Sequence, residues 1–249
     1  MSLEGRAALV TGGSRGLGLQ IAEALAEMGA KVAISARKKD ELDAAVSRLG
    51  PDAKAFVSDI GKREAIAPLA DAALKAFGKI DILVNNAGAT WGAPAEDHPL
   101  DAWDKLVNVN LTGAFLLAQR VAKQSMIPAK WGRIINIASV AGLIGQDPRF
   151  APTVAYTATK HGVVGLTRQL AAEWGVHGIT VNAICPGFFP SKMTRATLDT
   201  AGKMVRDLTP NRRIGNDEDL KGLAVLLASE ASRHITGQAI AVDGGSTIV

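Results

Sequence analysis

Tyr156 and Lys160, set in Val154-Ala-Tyr-Thr-Ala-Thr-Lys-His161, stand four residues apart, a spacing that on a helix puts both side chains on one face. An ammonium beside a phenol favours the phenolate, so a hydroxyl that ordinarily titrates near ~10 could give or take a proton near neutrality. The pair alone also occurs on solvated helices, where it does nothing. What changes its reading is a glycine-rich turn far upstream, Thr11-Gly-Gly-Ser-Arg-Gly-Leu-Gly18. Gly12, Gly16 and Gly18 follow a short apolar run and lead into the helical pattern Leu19–Met28, so strand, turn and helix come in the order that phosphate binding needs. Glycine lets a backbone approach a ligand closely, and a helix amino terminus offers unpaired N–H groups to a pyrophosphate. Together the two features predict a nicotinamide-dependent oxidoreductase.

The elements that must position these residues are legible as an alternation. Ala7–Val10, Lys31–Ser35, Ala53–Val57, Ile80–Val84, Arg133–Ala138, Thr180–Ile184 and Ala239–Val242 are short apolar runs that read as strands, with amphipathic segments between them. That pattern predicts an α/β chain with a parallel sheet covered by helices on both faces. No linker, repeat or low-complexity segment divides residues 1–249, so a single domain is expected. Two long loops expected at the substrate, Gly142–Ala155 and Gly187 to about Thr209, follow strands and should overhang the carboxyl edge of the sheet, where such folds bind ligands.

The end of the second strand selects the dinucleotide. A carboxylate there would hold a free ribose hydroxyl, but the chain has Ala36 and Arg37. Arg37, with Ser14 and Arg15 of the glycine turn, could hold the 2′-phosphate of NADP(H) through charge-assisted hydrogen bonds, unless both arginines are merely solvated. Asp59, in Val57-Ser-Asp-Ile60, either accepts from an adenine amino group or caps a helix over Gly61–Phe77. Asn85-Asn-Ala-Gly88 ends the fourth strand with short polar side chains and a glycine, suited to running beside a ribose or holding the neighbouring strand.

These motifs resemble those of the short-chain dehydrogenase/reductase family, from Gly5 to Gly245. The glycine turn, Asn85–Gly88 and Tyr156–Lys160 match, as do Asn110 in Asn108-Val-Asn-Leu-Thr-Gly113, Ser139 in Ile135-Asn-Ile-Ala-Ser139, Pro186-Gly187 and Val242-Asp-Gly-Gly245. The resemblance implies a Rossmann-type, doubly wound sheet of seven parallel strands, and interconversion of a ketone and a secondary alcohol. It makes Tyr156 the acid or base, Lys160 the group that lowers its pKa and hydrogen-bonds the nicotinamide ribose, so that both also contact the cofactor, Ser139 the holder of the substrate oxygen, and Asn110 the anchor of a water in a relay to Lys160. On the residues alone, Ser139 could instead be a strand-end hydroxyl bonded to local backbone, and Asn110 a cap or kink residue. The implied cofactor contacts add Leu17, Ile60, Asn86, Ala87, Gly88, Pro186, Gly187, Phe189 and Ser191; serine at 191 keeps the hydroxyl where the family often has threonine, and Phe189 either packs near the nicotinamide or is a plain core aromatic. Pro186–Thr194 and a helix expected over Asp217–Ala231 look similar to 3-oxoacyl thioester reductases and gluconate 5-dehydrogenases. Apolar and small residues on several faces of the helices near Asn110 and Tyr156 resemble the family's four-helix subunit interface, so a homotetramer is expected, with a dimer next.

Composition excludes other classes. The 28 basic and 24 acidic residues, net +4, are scattered, which argues against nucleic acid. No apolar stretch is long enough to cross a bilayer, and the start of the chain lacks a basic region followed by an apolar run. Cys185 is the only cysteine, which excludes an internal disulfide, fits a cytoplasmic location and reads as a small buried hydrophobe. His98, His161, His177 and His234 show no metal-ligand spacing. The partner left is a small carbonyl or alcohol substrate. Seventeen positions separate Ser139 from Tyr156, more than in many relatives, and within that stretch Asp147, Pro148, Arg149 and Phe150 stand beside the site. Arg149, with Lys192 and Arg195, could meet an anionic substrate or could be solvated. A protein that binds NADP without turnover is the alternative to an enzyme.

Overall fold

The computed structural model describes residues 1–147, 149 and 152–249. Its centre is one seven-stranded parallel sheet of β1 (Ala7–Thr11), β2 (Lys31–Ala36), β3 (Lys54–Val57), β4 (Ile82–Asn85), β5 (Gly132–Ile137), β6 (Ile179–Pro186) and β7 (Ala239–Val242), in the order β3-β2-β1-β4-β5-β6-β7. All seven expected strands are present. Their ends move by a residue or two, and β6 extends through Pro186.

Alternation along each strand sends successive side chains to opposite faces. Ala8, Val10, Val32, Ile34, Ile82, Val84, Ile135 and Ile137 therefore form one core. It packs under α1 (Gly16–Glu27), α2 (Lys39–Leu49) and, from later in the chain, the helix Lys221–Ala228. Leu9, Ala33, Leu83, Ile134 and Val181 form the other core. It lies beneath α3 (Ile66–Phe77), α5 (Gly113–Val121), α6 (Ile127–Ala129) and α7 (Val154–Trp174), while α4 (Leu100–Val107), which leads into α5, packs against α7. The sheet is thus wrapped on both faces, which is why its strands read as unbroken apolar runs.

Several helices differ from the sequence expectation. α1 starts at Gly16, so the last glycines of the turn are already its first residues. The segment after Asp59 forms a 3-10 turn, Arg63–Ala65, before α3 begins at Ile66. The 187–209 segment is largely helix, α8 (Arg195–Leu208), because Gly202 and Val205 give it a buried face. The last helix, α9, spans only Lys221–Ala228: Asp219 accepts from the Asn216 N–H at 2.8 Å and pairs with Arg213, holding the preceding residues in a turn.

The strand order reverses between β1 and β4, and crevices of this kind open at the carboxyl edge where neighbouring strands run their chains to opposite faces. The two loops at that point are pinned together. Thr11 Oγ1 accepts from the N–H groups of Asn86 and Ala87, both at 3.0 Å, and Asn86 Nδ2 donates to the carbonyls of Thr11 at 2.9 Å and Gly12 at 3.1 Å. Of the two readings of Asn85–Gly88, holding the neighbouring strand is therefore its observed work.

Candidate active site

A cleft of about 430 Å³ follows the carboxyl edge of the sheet. Its walls include Gly12, Arg15–Gly18, Asn86–Gly88, Ser139, Tyr156, Lys160, Pro186, Gly187, Phe189 and Ser191. A pocket of about 180 Å³ lies on the other side of Gly12, lined by Ser35, Arg37, Asp59, Ile60 and, again, Ala87 and Gly88. A third cavity, about 120 Å³, opens beyond Ser139 and Tyr156 and is bordered by Thr90, Val140, Gln146, Thr153, Phe188, Met193 and Thr197. Nearly every residue expected from sequence is thus brought to one continuous edge. Ser14 lines none of these spaces, and Asn110 stands behind Gly88 rather than on the surface of the cleft.

The shape of the first two spaces fits a dinucleotide. Gly16 has φ +54 and open space where a Cβ would stand. The amino terminus of α1 has no side-chain cap and no acidic residue in its first turn, so its N–H groups face the cleft unclaimed by the chain. Ser35 Oγ, buried on the wall of the pocket that holds Arg37 and Asp59, has no hydrogen-bond partner among the described residues. Gly18 has a different cause: a Cβ there would lie 2.3 Å from Asn86 Nδ2 and 2.4 Å from the Gly12 carbonyl, so the close packing of turn on loop requires it.

At the other end, β5 delivers Ser139 and α7 delivers Tyr156 and Lys160. Ser139 Oγ accepts from the Ala141 N–H at 3.1 Å, opening a short turn over Val140–Gly142, and Ser139 lines the cleft beside Tyr156, whose pKa its side chain draws down. The strand-end role and the cleft-facing role coexist. Lys160 Nζ donates to the Ile137 carbonyl at 2.7 Å and sits 5.6 Å from the centre of the Tyr156 ring. Asn110 lies in a π-helical turn, Asn108–Thr112, between α4 and α5. Its Nδ2 donates to the Ala89 carbonyl and to Thr159 Oγ1, both at 3.0 Å, while Oδ1 accepts from the Ala89 N–H at 2.8 Å. Both amide donors are used, which leaves one Oδ1 lone pair as this side chain's means of holding a water.

Electrostatically, the site corrects one expectation. Burial raises the Tyr156 phenol above its ordinary value, and only the Ser139 hydrogen bond opposes this. Burial likewise brings Lys160 down to about 8. The Lys160 ammonium is turned to the Ile137 carbonyl and desolvation dominates both groups, so the Tyr156 pKa is raised rather than lowered in this structure. Beneath them Cys185 is fully buried and pushed up to about 11, chiefly by desolvation, consistent with an inert hydrophobe.

Other expectations divide. Asp59 Oδ1 accepts from the Gly61 N–H at 3.0 Å, a local turn bond ahead of the 3-10 turn, while the residue also lines the Arg37 pocket. Phe189 is both core aromatic and cleft wall. Ser191 Oγ is engaged with Thr194 Oγ1 at 3.0 Å, and Thr194, which sequence reading passed over, borders both the cleft and the third cavity. Thr159 was also missed; its spacing of three from Tyr156 was the available signal. Arg149 is folded onto Asp147, with Nε at 2.8 and 3.0 Å from the two carboxylate oxygens, and its side chain stays exposed. Pro148 and Phe150 lie outside the described residues. Lys192 lines the cleft and Arg195 does not. Arg15 and Ser14, expected at a phosphate, instead contact Glu41. Among the described residues no cluster could hold a metal ion, and no helix is long and apolar enough to cross a membrane.

Comparison with known proteins agrees with this geometry. The sequence is 40% identical to gluconate 5-dehydrogenase of Gluconobacter oxydans over 252 residues, covering 99% of this chain and 96% of that protein. It is 39% identical to D-threitol dehydrogenase of Mycolicibacterium smegmatis over 250 residues, covering 99% and 94%. The fold superposes on the crystal structure of a gluconate 5-dehydrogenase from Burkholderia cenocepacia in complex with NADP and tartrate with a TM-score of 0.93, at 38% identity, covering 100% of this chain and 97% of that one. The family profile described as short chain dehydrogenase matches residues 6–202, and with relatives of this identity and coverage the chain belongs to the short chain dehydrogenase family.

Proposed function

We propose that this protein is an NADP(H)-dependent oxidoreductase that interconverts a ketone and a secondary alcohol. The observation that carries the reading is the convergence of Ser139, Tyr156 and Lys160 at one end of a cleft whose other end has a helix terminus without a cap, with the cationic Arg37 in the adjoining pocket. When bound, NADP(H) supplies or accepts a hydride at its nicotinamide.

The chain's own residues handle the proton and the oxygen. A substrate carbonyl in the cavity beyond Ser139 and Tyr156 can accept from both hydroxyls, and its oxygen gains negative charge as the carbon is reduced. Donors already oriented at that point stabilise the charge without reorganising. Tyr156 then gives its proton to the oxygen, or removes it in the oxidation direction. Burial keeps the phenol protonated in the resting site, which suits a donor; oxidation requires a cation close enough to favour the phenolate, and Lys160 is the one within reach. Asn110 holds the Ala89 backbone and, through Thr159, the turn of α7 that carries Tyr156 and Lys160.

Relatives named for gluconate and threitol support a sugar-acid or polyol substrate, beside the 3-oxoacyl thioesters named for another relative of 37% identity, from Vibrio cholerae. The same reading includes one domain over residues 1–249, a homotetramer and a cytoplasmic location, the last supported by a lone cysteine that is free and buried. The test is oxidation of NADPH and NADH against 5-ketogluconate, small ketoses and 3-oxoacyl thioesters, with Tyr156→Phe as control. Turnover abolished in that variant is the expected result. Cofactor binding with no turnover of any ketone would point to a protein that senses NADP instead.

A further inference from the structure

Glu41 stands in the first turn of α2, and its carboxylate reaches across to the glycine turn. Oε1 is 2.9 Å from Arg15 Nη1 and 3.2 Å from Lys38 Nζ, and Oε2 accepts from Ser14 Oγ at 3.4 Å. One carboxylate therefore takes up two cations and a hydroxyl. Arg37, in the adjoining pocket, has no ion-pair partner among the described residues. A carboxylate and a phosphate monoester ask for the same donors, namely guanidinium, ammonium and hydroxyl groups converging on anionic oxygens. Of the three groups assigned to a 2′-phosphate, Ser14 and Arg15 are thus already occupied by an anion of the chain itself, and Arg37 is not.

We propose that Glu41 is a specificity-determining residue that limits the preference for the phosphorylated dinucleotide. It rests on the NADP(H) reading above. An entering 2′-phosphate finds Arg37 free but must draw Arg15 and Ser14 away from Glu41, and the carboxylate that remains repels it. A free ribose 2′-hydroxyl carries no charge and meets no such opposition. The chain thereby keeps a preference for NADP(H) that rests mainly on Arg37 while still admitting NAD(H). Glu41 is only partly exposed, at 24% of its side chain, whereas Arg15 is 49% and Lys38 60% exposed, so the carboxylate is the better-held member and the arginine the one that can swing.

The competition can be read without catalysis, by calorimetric titration of the intact protein with adenosine 2′,5′-bisphosphate and with 5′-AMP, which differ only at the disputed position. In Glu41→Gln the bisphosphate should bind about three- to tenfold more tightly, as expected of losing a partly screened ion-pair competitor, with 5′-AMP unchanged. The gain should shrink at high salt. Glu41→Ala should give the same gain if the charge, rather than the amide that replaces it, is responsible. Unchanged or weaker bisphosphate binding in both variants overturns the proposal, because Glu41 would then be positioning its neighbours for the phosphate. Loss of 5′-AMP affinity also overturns it, because Glu41 would be serving the ribose hydroxyl. The NADP(H) reading is scored separately in the same titrations: wild-type protein that binds the two ligands equally, with Arg37→Ala changing neither, sinks that reading whatever Glu41 does.

Discussion

Asn110 Nδ2 donates to Thr159 Oγ1 at 3.0 Å, and the Thr159 hydroxyl in turn donates to the Tyr156 carbonyl at 2.8 Å. A side chain on a π-helical turn is thereby tied to the first turns of α7, between the two residues that bear the proton chemistry. Asn110 and Thr159 are both buried, so neither bond is readily replaced by water.

Thr159→Val keeps the shape and removes both bonds. It leaves an amide donor of Asn110 without a partner, which should cost about 1–3 kcal/mol of stability. Misplacement of Tyr156 should lower kcat by about 10- to 100-fold. Dissociation constants for cofactor should hardly move, and Thr159→Ser should restore kcat. Stopped-flow hydride transfer with urea unfolding measures both; a loss of stability with kcat intact would reduce Thr159 to a packing residue.

Lys160 is buried with its pKa at about 8, below an unfolded value of 10.5. Between those values the unfolded chain binds more protons than the folded one, so this group's contribution to stability rises with pH across the window, by at most ~3 kcal/mol. Below about 8 the full penalty of a buried ammonium applies. Tyr156 and Cys185, both raised, act in the opposite sense at high pH, so the comparison must be between variants. Lys160→Met should be more stable relative to wild type at pH 7 than at pH 10.5. A difference independent of pH in urea titrations would contradict this account.

Gly18→Ala would set a Cβ against the Asn86 amide and the Gly12 carbonyl at distances no real contact tolerates. The Asn86 side chain must give way, and with it the two bonds that pin the β4 loop to the β1 turn. Destabilisation of about 1–3 kcal/mol is expected, with cofactor affinity falling further than global stability explains. Gly16→Ala meets no atom and is strained only by its positive φ, so it should cost the fold less. Thermal melts with and without NADP separate the two.

Arg37 lines the pocket beside Ser35 and Asp59 without an ion-pair partner among the described residues. Arg37→Ala should lower kcat/KM for NADPH by about 10- to 100-fold, the range of a lost charge-assisted hydrogen bond, and leave NADH nearly unchanged. Equal losses with both cofactors would show that Arg37 supports the pocket and does not select the phosphate.

The sequence by itself determined what depends on local periodicity. Seven apolar runs became seven strands because residues covered on both faces leave no polar alternation to confuse the pattern, and Tyr156 and Lys160 share a face because helical geometry requires it at that spacing. The glycine turn was legible because strand, turn and helix are adjacent in the chain. Tertiary structure decided what depends on how distant elements dock. Docking of α2 against the β1 turn carries Glu41 onto Arg15, an ion pair between residues 26 positions apart that no local pattern announces. A π-turn aims Asn110 at α7, and the i→i+5 bond that makes it has no composition signal. The buried faces of Gly202 and Val205 turned an expected loop into α8. The direction of the Tyr156 pKa also belonged to the fold: proximity to a lysine could be read from spacing, but the desolvation that raises the phenol arises only when the tertiary structure sets Tyr156 into the wall of the cleft.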